Sequence, residues 1–135
     1  MYKRQIEIRA YSSIDHDVFI ARYRGDGTVD WVRRATGIDV DQGLGIGAFL
    51  DGSVAVTGTF TDRIVFAPDT AAEVTLTARN MLDSDAFVAR YDRDGNLAWA
   101  RQTRGIDADE GIAVATILCG SCVVAGTFTT TITLG

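Results

Sequence analysis

The sequence predicts an all-β protein made of antiparallel β-propeller blades. Three observations lead to this prediction: the chain repeats itself, its apolar residues alternate in short runs, and tight-turn signals separate those runs. No segment combines a 3.6-residue apolar period with helix caps. The alternative is a single β-sandwich with an internal pseudo-twofold axis, which short strands of this kind also form.

Composition indicates one globular domain of ordinary size. The chain has 135 residues, of which 47% are hydrophobic and 23% charged. The formal net charge of −5 argues against nucleic acid and anionic lipid as partners. No apolar run approaches the ~20 residues of a membrane-spanning helix. We expect no membrane span, and no signal-peptide pattern follows Met1.

The internal repeat joins two units of the same length. The segment from Asp17 to Tyr23 returns 68 positions later, from Asp85 to Tyr91. Residues 15–67 align with residues 83–135 without a gap, and 24 of the 53 aligned positions are identical. We therefore expect a single β-propeller segment that consists of two repeats, residues 1–67 and residues 68–135.

The first half of each unit predicts a β-hairpin. In the first unit, residues 18–23 form a strand, and the Asp-Gly pair at positions 26–27 tolerates the positive φ of a tight turn. Residues 28–34 form the returning strand, which contains Trp31. A polar loop, residues 36–41, follows it.

The second half of each unit predicts another hairpin with an unusual first strand. Residues 43–49 carry glycine at every second position up to residue 47, so another backbone can approach one face of this strand closely. An Asp-Gly pair at positions 51–52 turns the chain into a strand over residues 53–60. An excursion near residues 64–77 leads to the next unit.

Two hairpins per unit correspond to the four short antiparallel strands of a propeller blade. We expect the glycine-rich strand to lie innermost, where blades crowd around the axis, and the Trp31 strand outermost. The hairpins at residues 43–60 and 87–101 should pair into a complete blade. The hairpins at residues 18–34 and 111–128 should remain half-blades, which neighbouring blades in a longer chain or copies of the same chain would complete.

The chain resembles a known repeat family. Residues 85–99, 111–114 and 124–128 together look like the bacterial β-propeller repeat often called the SBBP repeat, and the first unit matches at the same positions. The resemblance implies a propeller found mostly in secreted or cell-surface proteins of bacteria, with no general enzymatic activity attached. It therefore implies an extracellular or cell-surface location and a non-catalytic scaffold or binding module with an unassigned ligand.

Two other functions stay open at this stage. The segment could belong to a propeller enzyme whose active site is built at the channel mouth by loops such as residues 39–42. It could also be a ring-forming, lectin-like protomer. The two units show almost no unit-specific polar residues expected to face the axis, so we predict no catalytic residue and no cofactor-binding residue.

Paired acidic residues form a weak candidate for calcium. Carboxylates two positions apart on a loop can share a hard cation that requires several oxygen ligands. The alternative is that they are solvated loop residues that accept backbone N–H bonds. These residues are Asp39 and Asp41 in the first unit and Asp107 and Asp109 in the second.

Two cysteines form a candidate disulfide. Cys119 and Cys122 flank a turn, and a bridge across it would suit the oxidising compartment that the family resemblance implies. The alternative is two reduced thiols, one of them packed in the core.

Aromatic residues recur in pairs 68 positions apart. Recurrence in each unit is what a packing residue does, so we expect these side chains to form the core between blades. The pairs are Trp31 and Trp99, Tyr23 and Tyr91, and Phe60 and Phe128.

Overall fold

The computed structural model of the protein describes residues 5–135, and within them it contains strands and no α-helix. One 3-10 turn spans Leu118–Gly120. The strands are β1 (Val18–Tyr23), β2 (Val29–Gly37), β3 (Gln42–Ala48), β4 (Val54–Thr61), β5 (Arg63–Phe66), β6 (Val74–Thr77), β7 (Ser84–Tyr91), β8 (Leu97–Gly105), β9 (Glu110–Thr116), β10 (Cys122–Thr127) and β11 (Ile132–Leu134).

The strands form three antiparallel sheets, so the all-β prediction is confirmed. The first sheet has the order β1-β2-β5-β6, and the central sheet has the order β11-β8-β7-β4-β3. The third sheet contains β9 and β10. In the central sheet β4 pairs with β7 from Val54 opposite Tyr91 to Thr61 opposite Ser84. This pairing joins the two hairpins that the sequence predicted to share a blade.

The repeat is visible in the strands themselves. Strands β1 to β5 have counterparts 68 residues later in β7, β8, β9, β10 and β11. An irregularity in strand pairing also recurs. The register shifts between Arg22 and Tyr23 in β1 and again between Arg90 and Tyr91 in β7. Two segments with the same residue pattern therefore fold in the same way locally.

The expected outermost position of the tryptophan strand is wrong. Strand β2, which carries Trp31, is bordered by β5, and its counterpart β8 is bordered by β11. The excursion after each unit turns back and pairs along the free edge of the tryptophan strand, where it covers unpaired backbone groups. Strand β3 lies at the opposite edge of the central sheet.

The glycine-rich strand allows close packing between sheets. A Cβ atom built on Gly45 would lie 2.9 Å from the carbonyl oxygen of Ile112 and 3.0 Å from the Cα of Ala113, both in β9. These neighbours are backbone atoms of the strand that corresponds to β3 in the second unit. The small face of β3 therefore lies against the backbone of its own counterpart.

The apolar core lies where the first sheet faces the central sheet. The buried members of the core are Val18, Ile20, Trp31, Ala35, Val56, Phe60, Ile64, Phe66, Leu76, Ala78, Phe87, Ala89, Tyr91 and Ala100.

Among residues 5–135, no helix is long and apolar enough to cross a membrane.

Candidate interaction surface

The contact between the first and central sheets, here called the first seam, is well packed. The ring centroids of Phe66 in β5 and Phe87 in β7 are 5.2 Å apart in an edge-to-face arrangement. The first seam shows what a completed contact between two sheets of this protein requires.

A polar contact holds the outer side of the first seam. The indole Nε1 of Trp31 donates to the carbonyl oxygen of Arg93, at 3.0 Å, in the turn between β7 and β8. The guanidinium of Arg33 donates to the carbonyl oxygen of Gly95, at 2.6 Å, and that of Arg22 donates to the carbonyl oxygen of Arg93, at 2.7 Å. A Cβ at Gly95 would lie 2.7 Å from the Trp31 ring, so only glycine fits under the indole.

The contact between the central and third sheets, here called the second seam, is open. A groove of about 590 Å³ runs between them. Its apolar lining comes from both sheets, and Arg101 and Glu110 are among its charged residues. The apolar side chains that define the groove are Val88, Val124, Phe128, Ile132 and Leu134.

Equivalent aromatic residues differ sharply in burial at the two seams. Phe87 exposes 2% of its surface and Tyr91 exposes none, because both lie in the first seam. Their counterparts Phe19 and Tyr23 in β1 expose 67% and 63%. Identical residues in equivalent strands are therefore covered in one unit and uncovered in the other.

The same difference is found at the other end of the chain. Phe60 and Phe66 are fully buried in the first seam. Their counterparts Phe128 and Leu134 are exposed beside the groove of the second seam. An apolar patch that equivalent positions bury elsewhere in the same molecule is a candidate surface for a partner.

The six aromatic residues predicted to form the core between blades fall into a buried group and an uncovered group. Trp31, Tyr91 and Phe60 are buried in the first seam. Trp31 packs on the turn of the second unit, between β7 and β8. The remaining three, Trp99, Tyr23 and Phe128, are half-buried or exposed among residues 5–135.

The candidate calcium residues lie in different environments. Asp41 and Asp109 are buried, whereas Asp39 is exposed and has a φ of 70°. Asp107 accepts a 2.8 Å hydrogen bond from the hydroxyl of Thr130. Within residues 5–135 no group of three or more His, Cys, Asp or Glu side chains is placed to hold a metal ion.

Burial sets the protonation of Asp41. It raises the pKa of Asp41 to about 8, and the nearby carboxylates of Asp17, Asp15 and Asp39 raise it further. The backbone N–H of Thr61 lowers the pKa in part. Neither carboxyl oxygen of Asp41 has a hydrogen-bond partner within residues 5–135. At neutral pH Asp41 is therefore mainly a neutral carboxylic acid.

The second unit repeats this arrangement with more hydrogen bonds. Burial also raises the pKa values of Asp109 and Asp85. The side-chain amide of Gln102 donates to Asp85 at 3.2 Å, and the hydroxyl of Thr103 lies 3.4 Å from Asp109. Asp109 and Asp41 therefore occupy equivalent buried positions in the two units.

The two cysteines are not bridged in this structure. Cys119 is exposed and Cys122 is half-buried, and both are free thiols. Cys119 has a φ of 79° in the turn between β9 and β10. The disulfide therefore stays a prediction.

Residue patterns alone did not reveal the role of the arginines. Arg22 and Arg33 bind the turn of the neighbouring unit, and they recur as Arg90 and Arg101. Their recurrence was the available signal, because exposed strand positions that serve only solvation have no reason to repeat. The buried Asp41 and Asp109 likewise repeat, but burial of a carboxyl group cannot be read from a loop sequence.

Comparison with known proteins agrees with a repeat architecture. The chain is 27% identical over 110 residues to the uncharacterized WD repeat-containing protein L264 of Acanthamoeba polyphaga mimivirus, which covers 82% of this chain and 8% of that protein. It is 30% identical over 101 residues to the regulatory protein FlaEY of Caulobacter vibrioides, which covers 75% of this chain and 10% of that protein. The chain therefore spans a tenth or less of either relative, and no family model matches it. WD repeats are blades of β-propellers, so the first similarity points to a repeat-based, propeller-like relationship.

Proposed function

We propose that this chain is a non-catalytic β-propeller repeat segment that works as a scaffold or interaction module. Its units dock side by side, and each uncovered end accepts a further unit of the same repeat. The observation that carries this proposal is the burial difference between equivalent residues: Phe87 is covered in the first seam, whereas its counterpart Phe19 is uncovered. The role requires no cofactor and no catalytic residue.

Free strand edges support the same proposal. Strand β1 is an edge of the first sheet and β10 is an edge of the third sheet, whereas their counterparts β7 and β4 pair with each other. Open edges and apolar patches are liabilities that proteins normally cover. A further unit would cover both at once.

The location and the specific family belong to this proposal as well. We infer from the resemblance of residues 85–99, 111–114 and 124–128 to the SBBP repeat that the module belongs to a secreted or cell-surface protein of a bacterium. The WD repeat-containing relative supports the blade architecture without specifying a compartment. A short disulfide between Cys119 and Cys122 would be compatible with that location.

A tandem fusion tests whether a further unit completes the second seam. Two copies are joined through one inserted residue, which preserves the 68-residue spacing of the repeat. In the first copy, Phe19→Asp blocks association between molecules, and Val123→Ile marks the peptides of β10 for mass spectrometry. We expect the β10 amides of the first copy to exchange hydrogen as slowly as those of β4.

The second copy provides the control within the same molecule. Its β10 has no following unit, so its amides should exchange quickly. Equal, fast exchange of β10 in both copies would contradict the proposed docking of units.

A further inference from the structure

We propose that a second copy of this chain docks on the second seam, with its β1 strand paired to β10 and its Phe19 and Tyr23 side chains covering the groove. This inference rests on the proposed function and names the partner and the contacts. Both surfaces belong to one chain, so the contact is head to tail and joins two different patches.

The central sheet supplies the register of the contact. Strand β4 pairs with β7 so that Val54 lies opposite Tyr91. The equivalent residues 68 positions away are Cys122 in β10 and Tyr23 in β1. The same pairing between two copies therefore places Cys122 opposite Tyr23 of the second copy.

The groove has the shape and chemistry for an aromatic side chain. Phe87 packs edge to face on Phe66 in the first seam. The counterpart of Phe66 is Leu134, which lines the groove with Val124 and Phe128. Phe19 of the second copy would take the place that Phe87 has in the first seam and would contact Leu134.

Polar groups on the two surfaces are also complementary. Trp31 and Arg33 hold the turn that contains Gly95. Trp99 and Arg101 occupy the equivalent positions in β8, and Arg101 lines the groove. Gly27 occupies the equivalent turn position. Gly27 has a φ of 80°, and a Cβ built on it would meet no atom within 4 Å, so the turn is free to accept the Trp99 indole of another copy.

The number of copies follows from the blade count. Each chain contributes two units, and propellers close with about four to eight blades, so a ring requires roughly two to four copies. A head-to-tail contact whose rotation fails to close would instead give an open filament.

Complementary variants test the contact. Phe19→Asp removes the docking side chain, and Phe128→Asp charges the groove; both positions are exposed, so the monomer should still fold. We expect each variant alone to weaken association by at least about tenfold. An equimolar mixture should form a heterodimer by sedimentation velocity, because one intact head meets one intact tail. Leu82→Asp is the control, since Leu82 is exposed and its counterpart Ile14 is exposed as well.

A cross-link tests the register. In a Cys119→Ser background, Tyr23→Cys places a thiol opposite Cys122 of the next copy, within reach of a disulfide. Mild oxidation should produce dimers and larger species, and mass spectrometry should find the peptide that carries the Tyr23→Cys substitution bridged to the peptide that carries Cys122. Leu82→Cys in the same background should not give a specific bridge.

The possible outcomes distinguish this inference from the proposed function on which it rests. A wild-type chain that stays monomeric at micromolar concentration, or variants whose mixture stays monomeric while the wild type associates, would overturn the second-copy contact. If β10 of the first copy is nonetheless protected in the tandem fusion, the repeat module stands and only the partner is wrong. If that β10 is also unprotected, both proposals fail.

Discussion

Individual buried carboxyl groups make the stability of this protein depend on pH. The pKa of Asp41 lies at about 8 in the folded state, well above that of an exposed aspartate. The folded state therefore holds a proton that the unfolded state releases. The contribution of Asp41 to stability is therefore largest below about pH 4 and is lost as the pH rises from about 4 to about 8.

Replacing Asp41 by asparagine should reduce this pH dependence. The amide stays neutral, so Asp41→Asn should make the fall in the free energy of unfolding between about pH 4 and about pH 8 less steep. Asp85 and Asp109 should maintain part of the slope, since burial raises their pKa values too. Urea unfolding across this pH range measures the effect. The control is Asp94→Asn at an exposed position in the turn between β7 and β8, and an identical slope in both variants would contradict the assignment.

Gly45 is a second residue whose environment determines what can replace it. Gly45→Leu should lower the free energy of unfolding by about 1–3 kcal/mol or more, because its Cβ would meet the backbone of β9. Gly25→Leu is the matched control, since no atom lies within 4 Å of a Cβ built there. Thermal or urea unfolding compares the two. A Gly45→Leu variant as stable as Gly25→Leu would show that β3 and β9 do not pack closely.

At the scale of elements, the turn between β7 and β8 holds the two units together. Trp31 is buried on this turn, whereas Trp99 is only half-buried. Truncating a buried tryptophan costs about 3–5 kcal/mol. In a Phe19→Asp background, which prevents docking of a second copy, Trp31→Ala should therefore destabilise the chain clearly more than Trp99→Ala. Equal losses in urea unfolding would be incompatible with this packing.

The turn between β9 and β10 lies between the two cysteines that are predicted to form a disulfide. When the protein is made in an oxidising compartment, we expect Cys119 and Cys122 to form a short-loop disulfide. Closing so small a loop removes little unfolded-state entropy, so its stabilisation should fall below the ~2–4 kcal/mol of long-loop bridges. The intact mass of unreduced, alkylated protein measures the bridge. Two freely alkylated thiols after export would contradict it.

The order of the elements was predictable from sequence because their signals are local. Asp-Gly turns, alternating apolar residues and the 68-residue offset predicted both hairpins of each unit and their pairing through β4 and β7. The position of β5 beside β2 was not predicted, because an edge strand pairs through backbone groups that leave little trace in sequence. The burial of Asp41 was also missed, since it depends on contacts between segments distant in sequence.

At the scale of the whole molecule, one chain presents both halves of the same contact. Phe19 and the edge of β1 lie at one end, and the groove with Phe128 and the edge of β10 lies at the other. The first seam shows the completed version of that contact within the chain. The two ends are therefore complementary, and the partner that we propose for each is another unit of the same kind.

Light scattering on the purified 135-residue chain tests this central claim most directly. We predict reversible association at micromolar concentration, with a limiting mass of roughly two to four chains that corresponds to a closed ring of about four to eight blades. A cooperatively melting monomer at the same concentration would contradict the head-to-tail account.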